Sequence, residues 1–199
     1  MSARQTRHKA IPKSTTLKFV SSMQRRLFDY EFLGLKNLDK DKPSILVGNH
    51  SIYAWDVAIM LVQLKMQKDI ELRALGDRIH ASIPLWRDLL ENYGVVPGTP
   101  ENCTQLMSSK QHILVFPGGA REAFKRSGEE HRLFWKKRTG FARMAVANKY
   151  PITPFFVYGA DLGYDILWDY SRMKKNRILA PLFRKKSGLS KLLRDGELF

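Results

Sequence analysis

The sequence predicts an α/β fold: a single domain whose largely parallel sheet is flanked by helices, with a basic N-terminal arm and a basic C-terminal tail. Three observations lead there. Short apolar runs closed by turn residues recur through the middle of the chain. Stretches with helical spacing lie between them, and that alternation makes parallel strands. The chain's 199 residues, 44% of them hydrophobic, are enough for one sizeable core.

Residues 1–42 read as the arm. Its first 28 residues carry seven basic side chains and no acidic one, with a short helix expected near Leu17 to Tyr30. A secretory signal needs an apolar stretch of roughly 7–15 residues, which is missing here, whereas an acid-poor, Arg-bearing composition leaves a transit peptide open. The arm is either a solvated tail ending in a helix or a surface anchor. From Pro43 the texture changes, and the domain is expected over 43–170. Strands are expected at Pro43 to His50, Ile70 to Gly76, Tyr93 to Val96, His112 to Phe116 and Ile152 to Tyr158. Helices are expected from about Val57, at Ile83 to Glu91, at Pro100 to Lys110 and at Gly140 to Lys149. Residues 171–199 hold nine basic and two acidic side chains and read as a basic tail, a divergent or truncated end of the domain.

The formal charge of +15 predicts attraction to polyanions, and by itself does not choose among nucleic acid, an anionic membrane surface and phosphorylated ligands. The longest unbroken apolar run, Val57 to Val62, falls far short of the roughly 18 residues of a spanning helix. One cysteine, Cys103, excludes an internal disulfide and a Cys-rich metal cluster; it reads as a small buried side chain. His8, His80, His112 and His131 have no ligand spacing, so no metal and no cofactor is expected. The basic run Lys125 to Arg138, with Phe134 and Trp135 inside it, comes without a recognisable nucleic-acid module and suits a lipid headgroup zone equally well.

Two strand ends carry chemistry. After Gly48-Asn49-His50 comes Asp56, six residues on and just ahead of the apolar helix. A carboxylate beside an imidazole fixes its tautomer and stabilises the imidazolium, provided a turn closes the spacing. The plainer alternative has Asp56 capping the helix and His50 ending a strand. The second end runs Phe116-Pro117-Gly118-Gly119-Ala120-Arg121-Glu122: two glycines that admit a ligand to the backbone, then an Arg suited to an oxyanion or phosphate. It is not a Walker A loop, and G-x-S-x-G, G-x-G-x-x-G and H-E-x-x-H are all absent.

Taken in order, these pieces resemble the PlsC-like glycerolipid acyltransferases, and most nearly their diacylglycerol-acyltransferase-like, transmembrane protein 68-like branch, over about Pro43 to Leu167. Asn49-His50 with Asp56 resembles the family's His/Asp motif. Ile83 to Leu90 leading to Gly94-Val95-Val96-Pro97-Gly98 is similar to the second block, Phe116 to Ala123 to the third, and Pro151 to Phe155 to the fourth. Two departures stand out. Five residues separate His50 from Asp56 where the superfamily usually has four, and Gly118 stands where the third block usually has Glu.

The resemblance implies direct acyl transfer from acyl-CoA or acyl-carrier protein to a lipid hydroxyl. His50 would be the base and Asp56 its orienter, with Gly118 and Gly119 shaping the oxyanion site. Arg121, Glu122 and Arg87 would bind substrate. An imidazole with an ordinary pKa of about 6.5 suits that work near neutral pH. Gly118, and a Glu122 competing for the Arg121 guanidinium, favour a neutral acceptor such as diacylglycerol or a long-chain alcohol. A lysophosphatidic acid acyltransferase, or a non-catalytic basic protein binding membrane or nucleic acid, is the alternative; nucleic acid is not the expected partner. With residues 1–28 acid-free and no spanning run, the protein is expected at an anionic membrane surface, peripheral, on the cytoplasmic face.

Overall fold

A strand buried on both faces of a parallel sheet needs apolar side chains at successive positions rather than at alternate ones, and Ile45, Leu46 and Val47 supply them, each at most 3% exposed. They form β1 (Ile45–Val47) of a five-stranded sheet. The computed structural model describes residues 14–77 and 84–163. The remainder of the arm, the start of the second motif block at Ile83 and the tail at 171–199 lie outside the described residues.

In chain order the elements are α1 (Ser14–Leu27), β1, α2 (Trp55–Lys68), β2 (Leu72–Gly76), α3 (Pro84–Asn92), β3 (Val95–Pro97), α4 (Pro100–Ser108), β4 (His112–Val115), α5 (Ala120–Ala123), α6 (Gly140–Ala147) and β5 (Ile152–Pro154). The sheet order is β3-β2-β4-β1-β5, with every pairing parallel. This is the predicted α/β class. Within it the chain packs as two compact units: one takes Val57–Val115 and Thr139–Pro154 with the chain up to Val47, the other Gly48–Asp56, Phe116–Arg138 and the chain from Phe155 on.

The first unit holds the sheet. Its core gathers the β1 side chains with Leu72, Ile113 and Leu114 from the strands, Leu61, Val62 and Leu64 from α2, and Leu106 from α4. Thr99 caps α4 by accepting from the Asn102 N–H (3.2 Å), with Pro100 in the first turn. Cys103 is buried on that helix, and burial pushes its thiol pKa up. Helix α1 turns Leu17 and Gln24 inward, Gln24 donating to the Ala58 carbonyl (2.9 Å).

The predicted strands are shorter than expected: Pro43 to His50 narrows to Ile45–Val47, the rest of the run being loop. The β-branched and aromatic run Ile152 to Tyr158 leaves the sheet after Pro154. In the second unit the main chain of Val157 is taken instead by a side chain: its N–H donates to Asn49 Oδ1 (2.7 Å), and its carbonyl accepts from Asn49 Nδ2 (2.8 Å).

Candidate active site

The second unit's three segments each start at the residue after a strand: Gly48 after β1, Phe116 after β4 and Phe155 after β5. Those strand ends are in register, Val47 opposite both Val115 and Pro154. The His/Asp motif and the glycine turn thus each follow directly on a strand in the chain.

His50 and Asp56 meet. Nδ1 of His50 lies 3.0 Å from both Oδ1 and Oδ2 of Asp56. With a carboxylate accepting there, Nδ1 carries the proton, and Nε2 is left as the basic nitrogen. The five-residue link closes through a 3₁₀ turn, Ile52–Ala54, in which Tyr53 (φ 59°) and Ala54 (φ 60°) are both left-handed. Two successive non-glycine residues in that region carry strain, a feature that concentrates at functional sites. Asp56 is the second residue of α2 rather than its cap, so the plainer capping alternative does not hold. Its carboxylate accepts the Ser51 N–H (2.9 Å), and its own N–H reaches Ser51 Oγ (3.4 Å). The His50 ring stacks on Phe116, centroids 3.9 Å apart and 12° from parallel, and Phe155 meets Phe116 edge-on at 5.7 Å. Gly48 makes room for Phe155, whose ring atoms lie 2.5 Å from where a Cβ would stand.

Glu122 does not compete for Arg121, contrary to the sequence reading. It is fully buried and accepts two main-chain donors, the His50 N–H at Oε2 (2.9 Å) and the Phe134 N–H at Oε1 (2.8 Å). Arg121 pairs instead with Glu129 and lies over the Phe134 ring, 4.0 Å from its centroid. Burial would raise the Glu129 pKa, but the hydrogen bonds from Arg121 and the Arg126 N–H outweigh it and hold the carboxyl below its usual value. The Arg121 guanidinium is thus already committed, which corrects its reading as a phosphate clamp.

At the glycine turn, Gly119 adopts φ 55°, ψ −149°, a combination essentially confined to glycine. Its N–H donates to the Phe116 carbonyl (3.0 Å), so it is not a free oxyanion donor. Arg138 braces the turn from outside, donating to the carbonyls of Pro117 (3.0 Å) and Gly118 (2.8 Å). Arg87 belongs to the first unit, on α3, where it pairs with Asp88 (3.1 Å) and approaches Glu91 (3.9 Å). It is not among the residues that the second unit brings together.

Two charged residues complete the arrangement: Lys125, read from the sequence as part of a surface basic run but buried here, and Asp161, which sequence reasoning left aside. Lys125 is buried and donates to the His50 carbonyl (2.6 Å) while pairing with Asp161 (2.8 Å). Asp161 accepts the N–H groups of Ile52 and His131, each at 3.1 Å. The sequence gives no hint of this contact, because Asp161 stands 109 residues from Ile52. Among the described residues no group of three His, Cys, Asp or Glu side chains is arranged to hold a metal ion.

A histidine oriented by a buried carboxylate, beside a glycine turn, is equipped to take a proton from a hydroxyl nucleophile. The chain belongs to the Acyltransferase family, whose model matches residues 29–158. It is 32% identical over 175 residues to "Phytyl ester synthase 2, chloroplastic" of Arabidopsis thaliana, covering 82% of this chain and 24% of that protein. It is 28% identical over 135 residues to the human "DGAT1/2-independent enzyme synthesizing storage lipids", covering 68% of this chain and 41% of that protein. The chain therefore spans less than half the length of these relatives. No solved structure matches it.

Proposed function

We propose that the protein transfers an acyl group from a thioester donor, acyl-CoA or acyl-carrier protein, to the hydroxyl of a lipid acceptor. The observation that carries this reading is the buried His50–Asp56 pair at 3.0 Å. Nε2 of His50 takes the hydroxyl proton as that oxygen attacks the thioester carbonyl, and Asp56 stabilises the imidazolium. The tetrahedral intermediate collapses to the ester, and the departing sulfur recovers the proton from Nε2. No covalent acyl-enzyme forms, and the products are an ester and a free thiol.

A neutral acceptor, diacylglycerol or a long-chain alcohol, is favoured over lysophosphatidic acid. The support is that both guanidiniums at the glycine turn, Arg121 and Arg138, already serve protein partners. The names of the two relatives, one for phytyl ester synthesis and one for storage-lipid synthesis, point the same way. Tyr53 and Trp55, within the His–Asp link, are 54% and 44% exposed and offer apolar surface to a lipid.

An anionic membrane surface is the proposed place of work. No helix among the described residues is long and apolar enough to cross a membrane. Helix α1 instead exposes Phe19, Met23 and Leu27 at helical spacing, next to Lys18, Arg25 and Arg26 and with no acidic residue in the helix. Incubation of the protein with labelled acyl-CoA or acyl-carrier protein, and with diacylglycerol, a long-chain alcohol and lysophosphatidic acid competing in one vesicle preparation, tests the reading. Labelled triacylglycerol or alkyl ester is expected; phosphatidic acid as main product overturns the acceptor assignment, and thioester cleavage without ester formation overturns the transferase reading.

A further inference from the structure

We propose that Lys125, held by Asp161, is a positioning residue for His50; the catalytic part of this inference rests on the acyl-transfer reading above. Three consecutive main-chain N–H groups, those of His50, Ser51 and Ile52, are each accepted by a different buried carboxylate: Glu122 (2.9 Å), Asp56 (2.9 Å) and Asp161 (3.1 Å). All three acids are at most 6% exposed. A peptide turn has no need of three separate anions for its donors, because water or neutral acceptors would serve. Buried charges persist only when paired and hydrogen-bonded. Lys125 is the buried cation bonded to this group, with 1% of its side chain exposed.

Its single ammonium makes two contacts. One is the ion pair with Asp161; the other is the charge-assisted bond to the His50 carbonyl at 2.6 Å. The main chain of His50 is thus gripped at its N–H by Glu122 and at its carbonyl by Lys125, while Asp161 fixes Ile52 two residues on. The ring itself has two constraints, the Asp56 carboxylate and the stack on Phe116. Rotation of the His50 peptide would carry Nδ1 away from Asp56. Positioning of a reacting group to within a fraction of an ångström is worth orders of magnitude in rate, and here the Lys125–Asp161 pair supplies it from outside the His/Asp motif.

The test uses the full chain. In the proton NMR spectrum the His50 Nδ1–H, hydrogen-bonded to a carboxylate, gives a low-field resonance identified by its disappearance in His50→Ala. In Lys125→Met that resonance is expected to vanish or broaden, while far-UV circular dichroism reports a folded chain. Because Lys125→Met leaves Asp161 without its cation and can prevent folding, the double variant Lys125→Met/Asp161→Asn removes the pair together and is measured alongside. An unchanged His50 resonance in a folded variant overturns the proposal. Turnover provides the second readout: kcat is expected to fall at least tenfold with KM unchanged, and a raised KM at constant kcat overturns the proposal. If the wild-type protein transfers no acyl group, the acyl-transfer reading fails, and the resonance alone still decides whether Lys125 positions His50.

Discussion

The carboxylate of Glu122 fills the space that a Cβ on Gly118 would need, its Cδ and Oε2 lying in direct conflict with that position. The resemblance drawn from the sequence implies an acidic residue at this point of the third motif block. Here the acidic group arrives from four residues further along, and the glycine admits it. Gly118→Ala is therefore expected to push Glu122 off the N–H groups of His50 and Phe134, destabilising the protein by about 1–3 kcal/mol, chiefly through the buried His50 donor left unpaired. In a Glu122→Ala background the same substitution should cost much less, because its obstacle is gone. Denaturant midpoints of the four proteins check this; equal costs in both backgrounds would sink it.

His50→Ala should reduce acyl transfer by about 10² to 10⁴, the usual contribution of a general base, while circular dichroism stays that of the wild type. Asp56→Asn should also fall steeply, since an amide can present its donor to Nδ1 and leave the ring in the wrong tautomer. A folded His50→Ala protein with near-normal turnover would remove His50 from the chemistry.

Vesicle flotation tests α1. Each Lys or Arg near an anionic surface contributes about 1 kcal/mol, so Lys18, Arg25 and Arg26 all changed to Gln should weaken binding to anionic vesicles on the order of a hundredfold. Phe19→Ser with Leu27→Ser should weaken binding at high salt as well, where the charges are screened. Equal wild-type binding to neutral and anionic vesicles would contradict the electrostatic part.

Acid should destabilise the first unit through His112, which is buried on β4. Burial lowers its pKa, and the nearby Lys40 and Asp39 only partly oppose this. The unfolded chain then binds the proton more readily than the folded one, so stability is full above the ordinary histidine value of about 6.5 and falls as pH drops below it. Melting temperatures at pH 7.5 and pH 5 should differ less in His112→Gln than in the wild type. Identical differences would rule His112 out as the acid-sensitive group.

What the sequence made legible follows from which forces are local. The strands at Ile45 and His112 announce themselves as apolar runs because a parallel sheet buries both faces. The His50–Asp56 pair was readable because a six-residue step can be closed by one turn, though nothing predicted that Tyr53 and Ala54 would both go left-handed to close it. Ile152 to Tyr158 misled because β-branched and aromatic residues continue past the point where the Asn49 side chain takes over the main chain of Val157. The roles of Glu122, Arg121 and Lys125 were illegible for a related reason: charge sign shows in a sequence, but the choice of partner is tertiary. Arg121 bypassed its neighbour Glu122 for Glu129, and Lys125 found Asp161.

The strand order sets a timetable for synthesis. A ribosome delivers Ile45–Val47 well before its partners: β1's neighbours are β4 and β5, and its pairing of Ile45 with Ile113 and Ile152 must wait until those residues have emerged. Strands β2 and β3 can pair first, since they lie much closer in the chain, Gly76 and Val95 at their facing ends. Three of the most apolar consecutive residues in the chain thus remain unpaired until β4 has been made, the circumstance in which nascent chains aggregate or recruit chaperones.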